Sequence, residues 1–225
     1  MIKLKRNQAL FHQLKTDGVT PLNVSNGNKK LVSNEYIAFI VWNLPAVTTC
    51  PFRTAHCEGA CYARKAEKAY PDVLPARMRN FEESRRPDFV VRALFTILKR
   101  LQYCGEKQVV VRIHESGDFY NANYANAWLK VAELLKGENV VFIAYTKSFR
   151  YFDGVELPNN FRLRASVWDD TKPEELEIIR RNQWNVYTAV PEFKKGDTFT
   201  RCRCKDCATC KKCWQAYKDI RCEIH

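Results

Sequence analysis

From Tyr36 onward, short continuous apolar runs alternate with stretches in which apolar residues recur every third or fourth position. The first pattern predicts buried strands near 36–43, 108–113, 139–145, 161–167 and 184–188. The second predicts helices near 74–84, 88–103, 122–136 and 173–182. Alternating strands and helices imply a parallel α/β arrangement. Five strands are too few for a closed eight-stranded barrel, so the expected fold is a partial (open) parallel β/α barrel, with a doubly wound sheet as the other arrangement the pattern allows. Residues 1–35 are polar and turn-rich and read as an N-terminal cover of hairpin or loop, ahead of a core at 36–190. After Pro191 the composition changes to a basic, cysteine-rich C-terminal extension, 191–225, ending in a short helix around Trp214.

The longest apolar runs, Tyr36 to Trp42 and Val140 to Tyr145, are far below the roughly 20 residues needed to cross a bilayer. The start, Met1-Ile2-Lys3-Leu4-Lys5-Arg6, lacks the apolar core of a signal peptide. The expectation is a soluble, cytoplasmic protein with no membrane partner. Compartment changes the meaning of the ten cysteines, because a reducing cytosol makes clustered thiols metal ligands more often than disulfides.

Five cysteines, Cys202, Cys204, Cys207, Cys210 and Cys213, fall within twelve residues. Structural zinc usually takes two cysteine knuckles a dozen or more residues apart, a separation missing here. Cysteines three residues apart instead resemble the ferredoxin pattern, in which one loop wraps a cubane. Iron–sulfur is therefore the leading assignment, with zinc as the alternative. A second set, Cys50, Cys57 and Cys61, follows the first strand, at the edge where parallel α/β folds place cofactors. His56 reads as a neighbour of this set, Cys104 as a buried structural thiol, and Cys222 as free or a spare ligand. One or two clusters, as 4Fe-4S, are expected.

The formal charge of +12 points to polyanions, but two thiolate-bound cubanes at about −2 each would lower it to roughly +8. Any nucleic-acid contact is expected to be weak and electrostatic, through Lys194, Lys195, Arg201, Arg203, Lys205, Lys211 and Lys212. The second strand ends in His114-Glu115-Ser116-Gly117-Asp118 and the third in Thr146-Lys147-Ser148, on the same edge as the Cys50 loop. Arg164 and Ser166 alternate with Leu163, Ala165 and Val167, and one of the two sets must face the barrel interior.

Three cysteines in the loop after the first strand of a partial barrel resemble the radical S-adenosylmethionine (SAM) superfamily. Val111-Arg112-Ile113-His114-Glu115-Ser116-Gly117-Asp118-Phe119, Tyr145-Thr146-Lys147-Ser148 and Cys213-Trp214 are similar to a family of small phage proteins, gene product eighty-eight. The resemblance implies a cluster on Cys50, Cys57 and Cys61, host cytoplasm as the location, and an electron-donor protein as partner. It also implies Glu115 and Asp118 as partners of the SAM ammonium and Lys147 and Arg164 as partners of its carboxylate. Three functions stay open: a phage-type iron–sulfur protein on a radical SAM-like scaffold, an enzyme that cleaves SAM, or a zinc-stabilised nucleic-acid-binding protein.

Overall fold

The computed structural model describes residues 2–193, 199–202, 205–215 and 218–224, with side chains from residue 7 onward. Its strands are β1 (Ile37–Trp42), β2 (Gln108–Ile113), β3 (Val140–Thr146), β4 (Phe161–Val167), β5 (Val186–Val190), β6 (Thr200–Arg201) and β7 (Ile220–Glu223). They form a sheet in the order β1-β2-β3-β4-β5-β7-β6 with every pairing parallel, an open half-barrel. Helix α1 (Ile2–Thr16) precedes β1, and α2 (Ala55–Gly59), α3 (Tyr62–Ala69), α4 (Val73–Ser84) and α5 (Phe89–Cys104) separate β1 from β2. Then α6 (Ala122–Leu134) precedes β3, α7 (Pro173–Arg181) precedes β5, and the short α8 (Cys207–Cys210) and α9 (Lys212–Gln215) precede β7.

Both faces of the sheet are covered, which is why its strands read as unbroken apolar runs; β1 is buried at all six positions. Side chains alternate across it. Ile40, Trp42, Val109, Val111, Phe142, Ala144 and Leu163 meet α1, α5 and α6 on the convex side. Ile37, Phe39, Val41, Val110, Val141 and Ile143 face the concave side. There Ala208 and Trp214 close over them, with the Trp214 ring 5.9 Å from Phe39 and edge-on to it.

The basic members of β4 face this concave side. Arg164 Nε donates to the Cys213 carbonyl at 3.0 Å and Arg162 Nε to the Trp214 carbonyl at 3.3 Å. Leu163 and Ala165 pack among apolar residues of the opposite face. The cysteine-rich segment is therefore not an appendage: its helices fill the hollow of the sheet, and β7 and β6 extend the sheet beyond β5.

The first half of the expected N-terminal hairpin or loop is instead a helix, α1, while residues 17–35 are turn and loop. Leu10, Phe11 and Leu14 make an apolar stripe, and Phe11 stacks on Phe95 of α5 at 5.4 Å. Gly18, at φ +71°, ends the helix while Val19 N bonds the Leu14 carbonyl (3.0 Å) and Gly18 N that of Lys15 (3.2 Å). This is the paired-bond stop that left-handed glycine permits.

Parallel register aligns the strand exits: Trp42 lies beside Ile113, Ile113 beside Ala144, and Tyr145 beside Arg164. The β1 and β2 exits are locked together, because Asn43 Oδ1 accepts from Glu115 N (2.7 Å) and Ser116 N (3.1 Å), and Leu44 N donates to the Ser116 carbonyl (2.9 Å). Gly117 completes the turn at φ +81°, where a Cβ would lie 2.5 Å from Thr49 Oγ1 and 2.6 Å from Leu44 Cβ. Gly117→Ala is expected to lower stability by about 2 kcal/mol or more, from left-handed strain plus overpacking. Urea unfolding checks this, and an unchanged midpoint would contradict it.

Candidate metal centre

A cavity of about 620 Å³ opens at the carboxyl edge of the half-barrel, and Cys50, Cys57, Cys61, Cys202 and Cys222 all line it. The first three descend from the β1 exit. Thr54 caps α2 by accepting from Cys57 N at 3.2 Å, and Cys61 occupies the cap position of α3, so two short helix starts fix two of the three thiols. Cys50 N bonds the Val47 carbonyl at 3.1 Å, with Val47 held at φ +66°. Burial, and then the negative charge of Asp118, pushes the Cys50 thiol up to about 12. Burial also raises Cys57, while Lys147 pulls it the other way. Thiols so desolvated become thiolates only when a cation compensates the charge, which is what a bound metal supplies.

The second group gathers on the concave side. Cys202 follows β6 and is tied to β7 by its N–H to the Arg221 carbonyl at 2.7 Å, beside Cys222. Cys207 and Cys213 pack against the concave apolar cluster. Burial pushes Cys207 up to about 11 and raises Cys213 and Cys222, whereas hydrogen bonds from Tyr145 to Cys213 and from Tyr187 to Cys222 act downward. The two tyrosine rings meet edge-to-face at 4.8 Å. Cys210 neither lines the cavity nor joins the concave cluster. Cys204 lies outside the described residues.

Between the two groups stands Arg112, on the concave face of β2, lining the cavity with its guanidinium 4.7 Å over the Tyr145 ring. It is half-buried, and its charge acts on Cys207 and Cys213. Among the described residues no carboxylate lies within 4.0 Å of it; the charge of Glu115 acts on it from farther off, and no anionic partner touches it. An anionic cluster on the neighbouring thiols would provide one.

Of the other expected site residues, Glu115, Asp118 and Lys147 line the same cavity. Glu115 accepts from Asn28 Nδ2 at 2.5 Å, and its carbonyl accepts from Tyr62 OH. Asp118 is buried and accepts from Thr146 Oγ1 (2.5 Å), Phe119 N (2.8 Å) and Lys147 N (2.9 Å). Desolvation nonetheless leaves its carboxyl above the usual range. Lys147 Nζ donates to Ser166 Oγ at 2.9 Å and stands over Trp168. Arg164 is the exception. It lies off the cavity, its guanidinium directed at the carbonyls of Cys213, Lys212 (3.2 Å) and Lys218 (2.5 Å), so it braces the cysteine loop instead of meeting a ligand carboxylate.

His56 turns away from the thiols: its Nδ1 is 2.7 Å from Asp169 Oδ1 and its N–H donates to Asp170 at 2.9 Å, pinning α2 to the turn after β4. Lys194, Lys195 and Arg203, expected in a nucleic-acid surface, lie outside the described residues. Sequence reasoning passed over Arg112, Tyr145 and Tyr187 as site residues. The available signal was Arg112 itself, a charge inside the otherwise apolar run Val109-Val110-Val111-Arg112-Ile113.

Fold and site together define a parallel α/β half-barrel whose carboxyl edge carries a cavity lined by cysteines from both ends of the chain. Residues 18–216 match the family described as Gene product 88, and the chain belongs to that family. It is 29% identical over 142 residues to the Gene 88 protein of Mycobacterium phage D29, covering 59% of this chain and 55% of that protein. It is 32% identical over 140 residues to the Gene 88 protein of Mycobacterium phage L5, covering 59% and 56%. The chain thus spans little more than half the length of these relatives. No solved structure matches it. No helix among the described residues is long and apolar enough to cross a membrane.

His114 supports the site from beneath. It is 3% exposed, at φ +68°, and its Nε2 lies 3.0 Å from the Tyr124 hydroxyl, which itself accepts from Trp42 Nε1 at 3.0 Å. The phenol proton therefore points to Nε2, leaving a neutral imidazole. Burial pushes its pKa down to about 3 from 6.5. The unfolded chain binds this proton first on acidification, so the stabilisation is complete above about pH 6.5 and is lost between there and about pH 3, at about 1.4 kcal/mol per pH unit. Urea titrations at several pH values should show that His114→Asn, which tolerates the left-handed backbone, removes this component. An identical pH dependence in both proteins would contradict it.

Proposed function

We propose that the protein is an iron–sulfur protein whose clusters are held by Cys50, Cys57 and Cys61 on one side of the cavity and by the C-terminal cysteines on the other. The observation that carries this reading is the convergence of Cys50, Cys57, Cys61, Cys202 and Cys222 on one cavity, which Arg112 also lines beside desolvated thiols. The donor set is sulfur throughout, the chemistry of thiolate-bound clusters. Around one zinc ion, sulfurs about 2.3 Å from the metal stand about 3.8 Å apart. Among the described residues, no three cysteine sulfurs lie within 4.8 Å of one another. That spread weighs against a single closed zinc tetrahedron and is compatible with ligands distributed over the corners of a larger cluster.

When bound, such clusters supply one-electron transfer. The chain's own residues then have defined tasks. Cys50, Cys57 and Cys61 provide three thiolates, Lys147 offsets charge at Cys57, and Arg112 offsets charge at Cys207 and Cys213. An electron-donor protein is the partner this function requires.

A second reading, SAM binding, is favoured by one observation: the three-cysteine set faces a cavity of about 620 Å³ that Glu115, Asp118 and Lys147 also line. Three thiolates on a four-iron cluster leave one iron open to an external ligand. Glu115 and Asp118 are then the candidates for an ammonium group and Lys147 for a carboxylate. Arg164 is withdrawn from that role because its donors are directed at backbone carbonyls.

The test is expression with iron and sulfide supplied, anaerobic purification, and metal analysis. Brown protein with comparable iron and acid-labile sulfide is expected; colourless protein holding stoichiometric zinc would overturn the reading. For the SAM reading, dithionite reduction with SAM should alter the electron paramagnetic resonance spectrum. An unaltered spectrum with no 5′-deoxyadenosine would remove that reading and leave the first intact.

A further inference from the structure

Cys222 stands outside the crowded 202–213 run, on the last described strand, yet the fold returns it to that run. Strand β7 runs beside β6 in parallel, with Arg201 paired to Arg221, so that Cys202 and Cys222 leave adjacent strands at the same level. Both line the cavity. Tyr187, on the other neighbour of β7, interacts electrostatically with both thiols. Its ring meets that of Tyr145, which interacts with Cys213, and the Cys213 and Cys207 thiols each interact with Cys202. Among the described residues, four cysteines thus gather around two half-buried phenols. Cys210 interacts with Cys207 but belongs to neither the cavity lining nor the concave apolar cluster.

Resting on the iron–sulfur reading, we infer that the second cluster is ligated by Cys202, Cys207, Cys213 and Cys222, with Cys210 outside the ligand set. The strand that carries Cys222 thereby closes the site, and Cys202 and Cys222 bring it to the edge of the cavity that Cys50, Cys57 and Cys61 line. Tyr145 and Tyr187 stand beside these sulfurs, where hydrogen bonds from their hydroxyls would tune the cluster potential. A loop-only ligand set, as in the ferredoxin pattern, would leave Cys222 without a part.

The experiment compares wild type, Cys222→Ala and Cys210→Ala as full chains, reconstituted anaerobically, by iron and sulfide per chain. Cys222→Ala is expected to lose about half of the iron or more, as removal of one of two cubanes requires, while Cys210→Ala keeps the wild-type content. Wild-type iron in Cys222→Ala, or equal losses in both variants, overturns the inference while leaving the iron–sulfur reading standing. Wild type without iron fails the two together. Should Cys222→Ala not fold, alkylation of native wild type followed by peptide mass spectrometry decides: Cys222 protected and Cys210 labelled supports the ligand set, and the reverse overturns it.

Discussion

A half-buried guanidinium among thiols and phenols sets the terms for the site. Arg112 sits in the second of seven parallel strands, facing the hollow of the sheet, with phenol rings and thiols around it and no carboxylate within ion-pair distance among the described residues. Taking a charge partly out of water costs free energy, which Glu115 offsets only from beyond ion-pair distance. Most of the nearby groups are thiols and phenols that burial holds protonated. A thiolate-bound cluster reverses this balance, since metal binding removes the thiol protons and leaves net negative charge beside the cation. Cation, thiols and metal are then mutually dependent.

On the proposed reading, that dependence accounts for the odd construction of the concave side. Half-barrel sheets need something to cover their inner face, and here the cover is a cysteine-rich segment with little apolar content beyond Ala208 and Trp214. Arg162 and Arg164 hold it through backbone carbonyls, which fixes the chain path without depending on side chains of the loop. On the proposed reading, metal ligation supplies the remaining order, because ligand binding free energy becomes folding free energy in such segments. The loop after β1 is built differently, with α2 capped by Thr54 and His56 pinned to Asp169 and Asp170, so its three thiols are presented by a scaffold held by protein contacts.

Much of this architecture was legible in the chain. The continuous apolar runs marked five of the strands because a parallel sheet buried on both faces requires them. Placing Cys50, Glu115, Asp118 and Lys147 on one edge needed only the rule that parallel strands present their exits together. Other features were hidden for definite reasons. Helix α1 was obscured by its polar composition, although Leu10, Phe11, Leu14 and Gly18 carried its signal. Strands β6 and β7 are two and four residues long, too short for periodicity to register. The direction in which Arg164 points depended on which face of β4 meets the core, and alternation alone is symmetric between the two. Cys222 looked detached because its neighbours in space come from strand pairing and not from spacing.

Everything above turns on whether iron in this protein is tetrahedrally bound by sulfur. Mössbauer spectroscopy of anaerobically purified, isotopically enriched protein reports that coordination directly, independent of any activity. The predicted result is the quadrupole doublets of cubane clusters, shifted on dithionite reduction. A spectrum of isolated high-spin iron in oxygen or nitrogen coordination, or no protein-bound iron at all, would contradict the account.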